Sequence, residues 1–127
     1  MKSPATILVV DDNPINLKLA GDVLACEGYV VLRARDAGEA KALIDRGSPD
    51  LILMDIQLPG MDGLTLTRFL KADPHRAHIR IVAVTAFAMK GDKEKALKAG
   101  CSGYITKPFE AEKLTTEVAA LLREATG

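Results

Sequence analysis

The sequence predicts an α/β fold in which five strands and five helices alternate around a parallel sheet. Two observations carry this. Five short apolar runs recur along the chain, at 6–10, 29–34, 51–54, 80–84 and 103–105. After each run, apolar residues return at helical spacing, so the pattern is βα repeated five times. Right-handed crossovers between such units give parallel strands with helices on both faces.

Each element has its own signal. "TILVV" (6–10), "LILM" (51–54) and "RIVAV" (80–84) are nearly continuous and rich in Val, Ile and Leu, as strands covered on both faces read. "YVVLRA" (29–34) and "GYI" (103–105) complete the set. The first helix, within 13–27, is opened by Asn13-Pro14 and closed by Gly28, with Leu19, Ala20, Val23 and Leu24 as its stripe. Ile15 and Leu17 fall at the two edges of that stripe, and Asn16 faces into it as a structural amide. The second, 36–47, has Asp36 as N-cap, Ala37, Ala40, Leu43 and Ile44 inward, and Gly47 at its exit. The third, 62–73, turns Leu66, Phe69 and Leu70 inward and has its own cap in Asp62. The fourth, 90–99, is marked by Ala96, Leu97 and Gly100, and the fifth, 110–124, by Leu114, Val118, Leu121 and Leu122.

The totals narrow the function. A chain of 127 residues suits one domain, 1–127, with a real core. Lys plus Arg equals Asp plus Glu at 17 each, which gives no argument for nucleic acid or an anionic membrane. No apolar run approaches the ~20 residues of a membrane span. The N-terminus reads as a first strand rather than a signal peptide, so the expected location is the cytoplasm. Cys26 and Cys101 are expected to be free thiols, Cys26 partly buried near a helix end.

In open α/β sheets ligands bind beyond the carboxyl ends of the strands. Asp11-Asp12 follow the first strand, Asp55 the third, Thr85 the fourth and Lys107 the fifth. Taken singly, each has an ordinary reading: a helix cap, a turn, a strand end, a surface lysine. Together they describe a site. Three carboxylates in one crevice repel one another, and a hard divalent cation such as Mg²⁺ resolves the conflict. A lysine and a hydroxyl beside them suit a phosphoryl group, and Asp55 is placed as the nucleophile that would form an acyl-phosphate. Gly60 and Gly63 give the following loop backbone freedom and Pro59 stiffens it.

"ILVVDDN", "LILMDIQLPGMDG", "IVAVTAFA" and "GYITKP", in that order, resemble the successive signatures of the response-regulator receiver domain over essentially the whole chain. The resemblance implies a flavodoxin-like fold with strand order 2-1-3-4-5. It implies that Asp55 accepts a phosphoryl group from a histidine kinase or a histidine phosphotransfer protein. Asp12, Asp55 and the Gln57 carbonyl would ligate Mg²⁺, with Asp11 acting mainly through water. Lys107 would pair with Asp55 or the phosphoryl oxygens, Thr85 would bond the phosphate, and Tyr104 would be the switch aromatic. The Lys107–Pro108 bond would be cis, and Phe87 would flank the path of attacking water. The readout would be a downstream protein on the face of the fourth helix, fifth strand and fifth helix. Ile15 and Leu17, at the edges of the first helix's stripe, would either contact the donor's helices or extend the core.

No DNA-binding segment follows residue 124, and the wording most resembles stand-alone receivers of cell-fate or cell-cycle control; similar wording occurs in receivers fused to hybrid histidine kinases. Such a domain would catalyse only its own phosphorylation and dephosphorylation. Three other classes weigh less. An Asp-nucleophile phosphohydrolase needs a second acid where Gln57 stands. A flavin site is disfavoured by the acidic first loop. A metal held by His75 and His78 would rest on two isolated loop residues.

Overall fold

A computed structural model describes residues 4–58, 60, 62–85, 91–107 and 110–126. Ten elements alternate: β1 (Thr6–Val10), α1 (Pro14–Cys26), β2 (Val30–Ala34), α2 (Ala37–Arg46), β3 (Leu51–Asp55), α3 (Gly63–Ala72), β4 (Arg80–Thr85), α4 (Asp92–Ala99), β5 (Gly103–Thr106) and α5 (Ala111–Thr126). All strand pairs are parallel, in the order β2-β1-β3-β4-β5.

Because side chains alternate across a strand, each continuous apolar run feeds both faces. Leu8, Val10, Ile52, Met54, Ile81 and Ala83 join α2, α3 and α4 in one core. Ile7, Val9, Leu51, Leu53, Val82 and Val84 join α1 and α5 in the other. The sheet is thus covered on both sides, and its strand ends are the open edge.

The expected caps are in place. Asn13 accepts from the Ile15 and Asn16 N–H groups, Asp36 from Glu39 N at 2.8 Å, and Asp62 from Thr65 N at 2.8 Å. Each supplies a helix start with a partner for an otherwise orphaned donor.

The inward faces differ from the sequence reading at several positions. In α1 the buried stripe is Leu17, Ala20, Gly21 and Leu24, while Leu19 is exposed. Leu17, Ala20 and Leu24 are the residues that meet the core side chains of β1, β3 and β4, which turns Leu19 outward; Gly21 lies under the Arg33 guanidinium. In α3, Thr67 is buried and Phe69 is exposed, with Lys41 Nζ 4.4 Å above its ring. Leu97 is likewise exposed, because short α4 buries only Ala96 and Ala99. Cys26 is exposed rather than partly buried, since it sits on the outer side of the last turn of α1; Cys101 is buried, and both are free thiols. Gly60 adopts a positive φ of 77°, as a loop glycine should. Gly63 instead opens α3, where it is needed for its size rather than its freedom.

Candidate functional site

The order β2-β1-β3 reverses the chain's direction of travel beside β1, and the crevice there receives the ends of β1 and β3. Asp11 lies one residue past β1, 4% exposed, and Asp55 closes β3, 3% exposed. Each buried acid is held by a local turn. Asp11 Oδ1 accepts from Asn13 N at 2.9 Å, and Asp55 Oδ1 accepts from Gln57 N at 2.8 Å. That leaves each Oδ2 to face its neighbours. Asp12 is exposed at the rim, and one oxygen from each of Asp11, Asp12 and Asp55 lies within 4.8 Å of the others.

Lys107 crosses from the end of β5 to close the group. Its Nζ is 2.6 Å from Asp11 Oδ2 and 3.1 Å from Asp55 Oδ2. Its backbone N–H donates to Thr85 O at 2.7 Å, tying the end of β5 to the end of β4. Thr85 is fully buried beside it. The loop after Asp55 is pinned at both ends: Ile56 N donates to Val84 O at 3.1 Å, and Gly63 N to Ile56 O at 3.3 Å. A Cβ at Gly63 would collide with Asp55 O and stand 2.7 Å from Ile56 Cα. So α3 can start this close to the acid only with glycine there.

The charges are unequally balanced. Burial pushes the Asp55 carboxyl up from its ordinary range; the Gln57 N–H and Lys107 pull it down, Asp11 adds to the rise, and the net direction is upward. Burial alone would lower Lys107, but its hydrogen bonds to Asp11 and Asp55 outweigh that and hold it above the usual lysine range. One ammonium shared between two acids cannot neutralise both. An all-oxygen donor set of three carboxylates with excess negative charge fits a hard cation such as Mg²⁺.

Tyr104, on β5, stands opposite Ala83 of β4, and its hydroxyl is buried with no hydrogen-bond partner among the described residues. Burial, and after it Asp92, raises its pKa. Gln57 is exposed, two residues past Asp55. Ile15 is 75% exposed on α1, whereas Leu17 is buried in the core and is not available to a partner. His75 and His78 are exposed and stand outside the acidic cluster. Pro59, Phe87 and Pro108 lie outside the described residues.

Residues 7–119 match the response regulator receiver domain. The chain belongs to the response-regulator receiver family. This receiver is 43% identical over 122 residues to the polar-differentiation response regulator DivK of Brucella anthropi, covering 96% of this chain and 99% of that protein. Among solved structures, a CheY-like response regulator receiver domain protein from Methanospirillum hungatei superposes with a TM-score of 0.89 at 35% identity, covering 98% of each chain. The signal receiver domain of a signal transduction histidine kinase from Syntrophus aciditrophicus gives 0.87 at 32% identity, covering 94% of this chain and 91% of that one. Receivers are signalling domains of two-component systems, working between histidine kinases and downstream proteins. Among the described residues no helix is long and apolar enough to cross a membrane.

One feature of the site was not legible in the sequence. Asn16, read there as a structural amide, is half-buried, and its side chain has no protein hydrogen-bond partner among the described residues. Only the packing of α1 on the sheet places it beside Asp11, at a small cavity.

Proposed function

We propose that this receiver accepts a phosphoryl group on Asp55 from a phosphohistidine of a histidine kinase or a histidine phosphotransfer protein. The observation that carries the reading is the shared ammonium: Lys107 bridges two buried carboxylates and leaves Asp55 the less compensated of the two. An Asp55 carboxylate oxygen attacks phosphorus; the new O–P bond forms as the P–N bond breaks, and the electron pair leaves with the imidazole nitrogen. Water later cleaves the acyl-phosphate. Asp12, Asp55 and the Gln57 carbonyl are the residues to hold Mg²⁺, with Asp11 beside them. The ion would supply charge neutralisation for the phosphoryl oxygens. Lys107 then pairs with a phosphoryl oxygen, and Thr85 donates to another.

The readout follows from β4 and β5 being tied together. If Thr85 moves toward the phosphoryl group, the end of β4 shifts, and Tyr104 on the adjoining strand has an unpartnered hydroxyl that gains by moving with it. The face of α4, β5 and α5 is the surface we assign to a downstream protein. The likeness to DivK supports a stand-alone role of residues 1–127 in polar differentiation or cell-cycle control. A receiver within a hybrid kinase or phosphorelay is the second reading, favoured by the kinase receiver it resembles.

The test is intact-mass analysis after incubation with acetyl phosphate, with and without Mg²⁺, on wild type and Asp55→Ala. One added phosphoryl group that needs both the ion and Asp55 is expected. If no adduct forms, binding of beryllofluoride separates rapid self-hydrolysis, which the reading survives, from a site that does not take phosphoryl groups, which it does not.

A further inference from the structure

Four polar residues are buried among the described residues, and Asp11, Asp55 and Thr85 belong to the site. The fourth is Thr67, fully buried on the inner side of α3 with Gly63, Leu66 and Leu70. Its hydroxyl donates to Gly63 O at 2.8 Å, and Cys101 Sγ stands 4.0 Å from the same hydroxyl as a donor to it. The thiol on one side leaves the hydroxyl proton to the carbonyl on the other.

Stability does not account for this hydroxyl. Gly63 O already has the Thr67 N–H as its partner in the helical ladder, so no carbonyl is orphaned without it. A threonine bonded back to the carbonyl four residues earlier slightly destabilises its helix and tends to bend it. The carbonyl in question belongs to the first residue of α3, and that residue touches the backbone of the acceptor. A Cβ at Gly63 would collide with Asp55 O and stand 2.7 Å from Ile56 Cα. Gly63 N donates to Ile56 O at 3.3 Å, and the next N–H along, that of Gln57, donates to Asp55 Oδ1 at 2.8 Å.

We infer that Thr67 is a positioning residue for the acceptor. Its hydroxyl sets the pose of the Gly63 peptide and, through the Gly63–Ile56 bond, the backbone that carries Asp55 and Gln57. The hydroxyl touches neither the phosphoryl group nor the ion. The inference rests on the reading of Asp55 given above. Partners behind a ligand set typically change metal affinity by about 10–100-fold, and one that acts through backbone belongs at the low end.

The test compares wild type with Thr67→Val, Thr67→Ser and Thr67→Ala. It reads Tm, Mg²⁺ affinity by calorimetry without phosphodonor, the rate of adduct formation by mass, and exchange of the Gly63 and Gln57 amides relative to those of β3, without metal or donor. Thr67→Val keeps the shape and loses the hydroxyl. It is expected to hold or raise Tm while weakening Mg²⁺ binding about tenfold, slowing adduct formation and quickening exchange at both amides. Thr67→Ser keeps the hydroxyl and loses the methyl, so Tm should fall while affinity, rate and relative exchange stay near wild type. A residue that only supports the fold would move activity together with Tm, whereas these two variants should move them in opposite directions. Wild-type Mg²⁺ affinity and amide exchange in Thr67→Val overturn the inference. Should Thr67→Val fail to fold, the Ser and Ala pair decides, since both lack the methyl and equal affinities there overturn it too. If the wild type itself takes no phosphoryl group, the reading of Asp55 falls, and exchange at Gly63 and Gln57 still decides whether Thr67 holds that backbone.

Discussion

Lys107 binds Asp11 more closely than Asp55: Nζ is 2.6 Å from one Oδ2 and 3.1 Å from the other. The residue we assign as acceptor is therefore the weaker partner in its own ion pair. Asp11 takes the larger share of the positive charge, and Asp55 keeps the consequence of burial, a carboxyl pushed upward.

Removing that charge should stabilise the fold. An acid with a raised native pKa binds more protons folded than unfolded, so stability falls as pH rises from the ordinary aspartate range to the native value. Asp55→Asn abolishes that fall. At pH 7 without Mg²⁺ it should melt above wild type, and the gain should vanish in acid. Thermal melts from pH 3 to 8 check this; an unchanged pH profile would contradict it.

Taking away the lysine should do the opposite. Lys107→Met leaves two buried carboxylates unpaired, at a cost of about 3 kcal/mol. It also removes the cation that competes for them, so Mg²⁺ should bind about tenfold tighter and recover part of the lost Tm. Because the native Lys107 pKa is raised, the wild type keeps this stabilisation below the ordinary lysine range and loses it as pH climbs above. The variant should lack that alkaline loss. Urea melts at neutral and alkaline pH, with and without Mg²⁺, read both effects.

Gly63→Ala tests the close approach of α3 to the site. The added methyl meets backbone, Asp55 O and Ile56 Cα, which cannot swing aside as a side chain would. A loss of about 2–3 kcal/mol is expected, together with slower phosphorylation, because the displaced atoms carry the acceptor. Gly60→Ala should leave phosphorylation nearly untouched, since a Cβ there meets nothing, although its φ of 77° adds backbone strain.

Lys71 holds the connection into β4. Its Nζ donates to Ala77 O at 2.9 Å and Ile79 O at 2.6 Å, and its stem packs against Gly100. Lys71→Met keeps the packing and removes the donor from the part-buried Ile79 carbonyl, while water serves the exposed Ala77 carbonyl. A cost of about 2 kcal/mol is expected, with faster amide exchange in 73–79 and little change at Asp55. Hydrogen exchange followed by mass spectrometry would show whether the effect stays local.

Thr85→Ala should separate phosphoryl acceptance from the response. Beryllofluoride should still bind, and in wild type it should shift the Tyr104 ring resonances. In the variant that shift should largely disappear. A full shift without the hydroxyl would remove Thr85 from the relay.

The periodic signals in the chain were enough for the alternation of elements, the caps at Asn13, Asp36 and Asp62, and the placement of Asp11, Asp55, Thr85 and Lys107 at strand ends. These are local properties: strand period, helix period and capping chemistry act within a few residues. The sequence alone also showed that three acids and a lysine belong to one edge of one sheet. What only the tertiary structure decided is how they share charge and which helix residues face inward. Lys107 and Asp55 are 52 residues apart, so their pairing, and the preference for Asp11, depend on the order in which strands assemble. The phase of each helix was settled by its neighbours. Leu17 is buried and Leu19 exposed because Leu17, Ala20 and Leu24 are the face that meets the core, and Asn16 lines the same small cavity as Asp11 because α1 packs on the sheet there. A helical repeat specifies a spacing, and the surface the helix lands on specifies which residues it hides.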